Sequence, residues 1–251
     1  MTAPAPMILV CGTGRSGTSA VARLLHESGL AVGHDLIPAD EFNPEGYYEE
    51  RPLIQLDEAI LAAVGLHRWF ATASRDQLLR SARGYAREMH ALAATATPAW
   101  KDPRFCWTLE AWLEVLEAPP RMLVCLRAPG EVVASTLRYY GLAGDEATRA
   151  AEHVWRTQAE RLLDVVEAYR IDALAVEYGA LLTSPAEAVE PIARFVGRPL
   201  DAALVRSDLR HHEAATTPPH LADLYARTAM LGADWRVTSG GAPSASAPSP
   251  S

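Results

Sequence analysis

Apolar residues in this chain fall into short unbroken runs, separated by longer stretches in which they recur every three or four positions. Met7 to Cys11 is the first run, Met122 to Leu126 the second and Ile171 to Val176, interrupted only by Asp172, the third. Runs of this length, rich in branched residues and bounded by turn formers, predict strands buried on both faces. Val21, Leu24, Leu25 and Ser28 then recur at helical spacing, and Gly29 closes that helix. Helical patterns also follow Pro52 and, after a break near Trp69, run from Arg75 to about Ala96. Phe105, Leu109, Trp112, Leu113 and Leu116 form one apolar helix face. Pro129 suits the first turn of a helix through Val132, Val133 and Leu137, and a long helix is expected from about Asp145 to Tyr169. Ser184 reads as the cap of a further helix, with Pro185 at its first position. Ala39 to Glu50 reads as an irregular loop, and Ala99–Trp100–Lys101 as a short extended piece.

Short buried strands alternating with helices predict an α/β fold of three layers, with a central parallel sheet covered on both faces. In such sheets ligands bind at the carboxyl ends of the strands. Residues 7–237 are expected to form one domain, and residues 238–251, all Gly, Ala, Pro and Ser apart from Thr238 if the boundary is drawn there, a disordered tail.

Composition narrows the partners. The chain of 251 residues carries a formal net charge of −8, and its arginines are scattered among acids, so a polynucleotide is not an expected partner. A small polyanion remains compatible, provided backbone amides and a few arginines form its site. No segment is long and uncharged enough to span a bilayer, and Met1 to Pro6 lacks the basic region of a signal peptide. The three cysteines, Cys11, Cys106 and Cys125, lack metal-ligand spacing and read as buried free thiols, which suits a reducing, cytoplasmic setting.

The first strand leads into Gly12-Thr13-Gly14-Arg15-Ser16-Gly17-Thr18-Ser19, which has the G-x-x-x-x-G spacing of a phosphate-binding loop. Glycines let backbone amides turn onto an anion, and the helix that follows adds the partial positive charge of its N-terminus. The bland reading is a tight strand–helix turn. A nucleoside-triphosphatase would carry lysine where Thr18 stands, and an acid to hold Mg²⁺ at the end of a neighbouring strand. The second strand instead ends in Arg127, a residue that receives a phosphate directly.

Arg15-Ser16-Gly17-Thr18-Ser19 resembles the 5′-phosphosulfate loop of the sulfotransferases that use 3′-phosphoadenosine-5′-phosphosulfate (PAPS). Arg127, with Ser135 eight residues on, is similar to that family's 3′-phosphate motif. Tyr178 to Pro185, followed by Phe195-Val-Gly, resembles the stretch whose tyrosine lies beside the adenine, although Gly179 and Ala180 replace the usual acidic pair. Asn43 to Glu49 and Lys101 to Arg104 resemble the bacterial branch. The resemblance implies a P-loop NTPase-like sulfotransferase fold and PAPS as donor without a metal. It assigns cofactor binding to Gly14, Arg15, Ser16, Gly17, Thr18, Ser19, Arg127, Ser135 and Tyr178.

On the reacting side the resemblance places Arg15 and Lys101 at the transferring group; Lys101 has a second reading, a salt bridge to Asp102. Cytosolic members use a histidine two residues after this lysine as the base, and here that position is Pro103. The base is then expected among Glu41, Glu45, Glu49 and Glu50, with Glu49 favoured and Glu50 second. Arg104 either orients the acceptor or pairs internally. His211 and His212 read as surface or cleft residues, and Gly232 to Arg236 faintly resembles a late cofactor segment. A small-molecule, carbohydrate or lipid acceptor is expected, with oligomeric state, homodimer included, left open. A P-loop kinase of a small metabolite and a non-enzymatic nucleotide-binding module are the competing readings.

Overall fold

The computed structural model describes residues 6–41, 43–66, 72–206 and 216–237. Among the described residues four strands form one parallel sheet: β1 (Ile8–Cys11), β2 (Ala99–Lys101), β3 (Arg121–Leu126) and β4 (Ala173–Glu177), in the order β2-β1-β3-β4. Leu9 pairs with Trp100 on one side and Met122 on the other, and Val124 pairs with Ala175. The short extended piece at Ala99 is thus an edge strand.

The unbroken apolar runs are explained by burial on both faces. Leu9, Cys11, Trp100, Met122 and Val124 face one core, while Ile8, Val10, Ala99, Leu123 and Cys125 face the other. The first core is closed by α2 (Arg51–Ala62), α3 (Arg75–Arg83), α4 (Ala86–Ala93), α5 (Phe105–Leu113) and α7 (Asp145–Ala168). The second is closed by α1 (Thr18–Glu27), α8 (Tyr178–Thr183) and α9 (Pro185–Val196). Helix α6 (Pro129–Tyr139) packs on α7 and on α10 (Pro219–Ala229) through Val132, Trp155 and Leu221. The result is the three-layer α/β architecture expected from the pattern.

Several boundaries differ from the expectation, each for a local reason. The helix expected from Arg75 to Ala96 is two, because Tyr85 leaves the helical region at φ −114°, ψ 11° after Gly84. Ser74 starts the first of them with a reciprocal capping box to Gln77. Ser184 precedes α9, but its side chain makes no capping hydrogen bond. Strand β4 starts at Ala173 because Arg170, at φ +51°, turns the chain out of α7 first. Helices α8, α10 and the short α11 (Ala233–Val237) carry too little periodicity to be read in advance. The three cysteines are free and buried. Among the described residues no helix is long and apolar enough to cross a membrane. Phe42, Trp69, His211, His212 and residues 238–251 lie outside the described residues.

The topology decides where a ligand can sit. From β1 the chain moves to one side of the sheet for β2 and to the other for β3 and β4. Connections that leave in opposite directions open a crevice above the carboxyl ends. Gly12, Lys101, Arg127 and Tyr178 all lie at those ends.

Candidate active site

The loop after β1 wraps because two of its residues adopt left-handed backbone: Arg15 at φ +67° and Gly17 at φ +90°. The Ser16 amide donates to the Thr13 carbonyl at 3.2 Å, closing the turn. Helix α1 then begins at Thr18, so the first-turn amides of Thr18 and Ser19 have no intrahelical acceptor and remain available to an anion. At Gly17 a side chain has no room, since a Cβ would lie 2.3 Å from Tyr178 Cδ2. Gly17→Ala is therefore expected to cost about 1–3 kcal/mol through backbone strain and overpacking, seen as a lowered Tm.

Above the loop lies a cavity of about 760 Å³, within the usual size range for a small-molecule site. Its lining includes Gly14, Arg15, Gly17, Thr18, Ser19, Lys101, Arg127, Tyr178 and Glu49. Its cations are Arg15, Arg23, Lys101, Arg104, Arg127 and Arg206, against the carboxylates Glu45, Glu49 and Glu58. A chain of net charge −8 thus presents an excess of positive charge here.

Two clusters face this space. At the first, Arg15 Nε donates to Ser135 Oγ at 3.2 Å, and its guanidinium lies 4.9 Å from the centre of the Tyr139 ring. Arg127 Nε donates to Glu131 at 2.7 Å, its NH1 to the Arg15 carbonyl at 3.4 Å, and its guanidinium stands 5.2 Å from the Tyr178 ring. Burial raises the Tyr178 phenol pKa, and the charges of Arg127 and Arg15 pull it back.

The second cluster is built on Lys101. It is 1 % exposed, and its Nζ is ion-paired with Glu49 Oε1 and donates to Ser19 Oγ at 3.2 Å. Ser19 Oγ also accepts from Asn43 Nδ2 at 3.3 Å. With both donors held, the hydroxyl keeps its own proton to donate to a further acceptor, and Ser19 lines the cavity. Glu49 is also 3.7 Å from Arg104 NH1, whose guanidinium reaches Asp102 at 3.1 Å and Glu58 at 2.6 Å. Lys101 therefore pairs with Glu49 and not with Asp102, which is taken by Arg104. Burial would lower the Arg104 pKa, but Asp102, Glu49 and Glu58 carry it upward.

Three sequence-derived candidates sit elsewhere than the cavity wall. Glu50 is buried against the backbone, its carboxylate accepting from the amides of His34 and of Asp35 (3.3 Å), and it does not line the cavity. Ser16 is fully buried beneath the loop, its Oγ without a partner and close to where a Gly12 Cβ would stand. Ser135 is buried behind Arg15 and reaches the site through that residue. Of the other loop acids, Glu45 is paired with Arg23 and Arg206, and Glu41 is exposed. Trp235 packs against Phe195 and Arg121 and takes no part in the cavity.

Arg23, Asp57, Tyr139 and Tyr140 belong to the site or its support and were not singled out in the sequence, where Asn43 stood only as part of the Asn43–Glu49 segment. Arg23 was within reach, because it follows Ser19 by one helical turn and so shares its face. The tyrosines, T-stacked at 4.9 Å between ring centres, are brought to the rim by the end of α6, and nothing local in the sequence signals it.

A family model described as "Sulfotransferase family" matches residues 6–202. Among solved structures, the sulfotransferase domain of the Synechococcus PCC 7002 olefin synthase is 19% identical, with 97% of this chain and 91% of that one covered and a TM-score of 0.47. The sulfotransferase domain from the curacin biosynthetic pathway is 17% identical over 89% and 83%, at a TM-score of 0.46. A sulfotransferase from Mycobacterium tuberculosis H37Rv is 18% identical over 94% and 77%, at a TM-score of 0.49. No curated protein matches the chain.

Proposed function

The chain belongs to the sulfotransferase family, and from that premise we propose that it moves the sulfuryl group of PAPS onto a hydroxyl or amine of a small-molecule, carbohydrate or lipid acceptor. The observation that carries this reading is one cavity with two chemically distinct sides. Anion-binding amides, Arg15, Arg127 and Tyr178 lie on one side, and the Lys101–Glu49 pair on the other.

The donor set suits the nucleotide. The loop amides of Gly14, Arg15, Gly17, Thr18 and Ser19, with the hydroxyls of Thr18 and Ser19, would hold the 5′-phosphosulfate. Arg127 offers its guanidinium to the 3′-phosphate, with Tyr178 beside it for the purine. Ser135 contributes by holding Arg15. When bound, the donor supplies an activated sulfuryl group whose bond to the phosphate oxygen breaks as the acceptor oxygen bonds to sulfur.

This chain's own contribution is orientation and charge. Arg15, anchored on Ser135 and Tyr139, is placed to stabilise the negative charge that grows on the leaving oxygen. Lys101 bridges the two halves of the site, touching the loop through Ser19 and the base through Glu49. Glu49 Oε takes the acceptor proton, a role its burial and cavity exposure allow and that Glu50, bonded to backbone amides, does not share.

The test is binding of adenosine 3′,5′-bisphosphate without metal. The wild-type protein should show a thermal shift, and Arg127→Ala should bind roughly 10–100-fold more weakly, as expected for the loss of a charged hydrogen-bonding partner. No shift with this nucleotide, or Mg²⁺-dependent binding of ATP in its place, would overturn the donor assignment in favour of a kinase. Profiling with radiolabelled PAPS against small-molecule pools then identifies the acceptor.

A further inference from the structure

Behind the cavity wall lie two carboxyl groups that the transfer chemistry does not use. Asp57 on α2 and Asp102 after β2 are both 0 % exposed. Asp57 Oδ1 accepts from Trp112 Nε1 at 2.8 Å, and Asp102 Oδ1 accepts from the Arg104 amide at 2.8 Å and Arg104 NH1 at 3.1 Å. Among the described residues neither Oδ2 has a hydrogen-bond partner. The two carboxyls lie close enough to act on each other's titration. Two carboxylate oxygens are both acceptors, so they bond only when one carries a proton.

Charge counting leads to the same place. The cluster holds three buried carboxylates, Asp57, Asp102 and Glu49, the buried Lys101 and the partly exposed Arg104. Glu58 also pairs with Arg104, but its side chain is 58% exposed and its charge is screened by water. Buried charge is costly unless balanced, and one proton makes this set neutral.

We propose that Asp57 and Asp102 hold one proton between them and act as the positioning pair that fixes Arg104, and through it Glu49, on the cavity wall. Asp57 carries the proton and donates it to Asp102, which stays ionised and grips Arg104 at both backbone and guanidinium. Arg104 then spans Asp102, Glu58 and Glu49. Burial first, and the Asp102 charge second, raise the Asp57 pKa well above the usual carboxyl range, while Trp112 and Thr108 pull it down. At Asp102 burial also raises it, Arg104 opposes and Glu49 adds to the rise. Neither donor nor acceptor enters this balance, so it stands apart from the identity of the transferred group.

The sign of the pH effect follows. With its folded pKa above the unfolded value, Asp57 binds more proton in the native state, so stability falls as pH rises between those two values. Asp57→Asn keeps a neutral donor to Asp102 and an acceptor for Trp112 but cannot ionise. Its Tm relative to wild type should therefore climb as pH is raised from about 5 to about 9. Wild-type protein should show the infrared band of a protonated carboxylic acid at neutral pH, and Asp57→Asn should lack it. The Arg104 Nε–H resonance should be retained in Asp57→Asn and displaced in Asp57→Leu, or in Asp102→Asn should the leucine variant fail to fold. An absent acid band, Tm values that track one another across the pH range, or an Arg104 resonance unmoved in Asp57→Leu or Asp102→Asn would overturn the proposal.

Discussion

Lys101→Met is expected to lower the unfolding free energy by about 3–5 kcal/mol, because it removes one partner of a buried ion pair and leaves the other uncompensated. The lysine side chain is 2% exposed and that of Glu49 9%, so water takes over little of the lost interaction. Methionine fills much of the same space, which confines the effect to the charge and the hydrogen bond to Ser19. Arg104, 3.7 Å from Glu49, moderates the loss and places it toward the lower end of the range. Urea unfolding at constant m measures it. The decisive comparison is the double variant Lys101→Met/Glu49→Gln, which removes both charges and should recover part of the stability. A double variant no more stable than Lys101→Met alone would mean that the pair is not the source of the effect.

The fold was legible because the physics that makes it is local. Five apolar residues before a glycine-rich turn can hardly be anything but a buried strand, and the alternation of such runs with 3.6-period segments admits few topologies. The donor side was legible for the same reason, since Gly12 to Ser19 carries its own geometry and Arg127 ends a strand. The base side was not. Glu49 and Glu50 are adjacent in sequence and equally acidic, and only the antiparallel bridge between Leu36 and Glu50 sends one carboxylate to the backbone and leaves the other at the cavity. Ser16 and Ser135 illustrate a second limit: a motif identifies which residues matter to a site without saying which of them touch the ligand. Asp57 marks a third. An acid beside Glu58 in an amphipathic helix looks like a solvated face, and its burial depends on Trp112 and Asp102, 55 and 45 positions away.

Glu49→Gln is expected to reduce kcat by about 10²–10⁴-fold, the usual contribution of a positioned general base. The substitution is isosteric, and binding of adenosine 3′,5′-bisphosphate should be preserved because Glu49 belongs to the base side of the cavity. That separation is informative, since a variant that lost nucleotide binding as well would point to a collapsed cavity in place of a missing base. Glu50→Gln is the internal control. Its carbonyl oxygen can still accept from the amides of His34 and Asp35, so transfer should stay within a few-fold of wild type. Radiolabelled transfer to an acceptor found by profiling, run on the two variants side by side, reads both. Equal losses would remove the distinction between the two glutamates. A large loss confined to Glu50→Gln would move the base to the side of the loop that the fold turns away from the cavity, and the assignment of Glu49 would have to be abandoned.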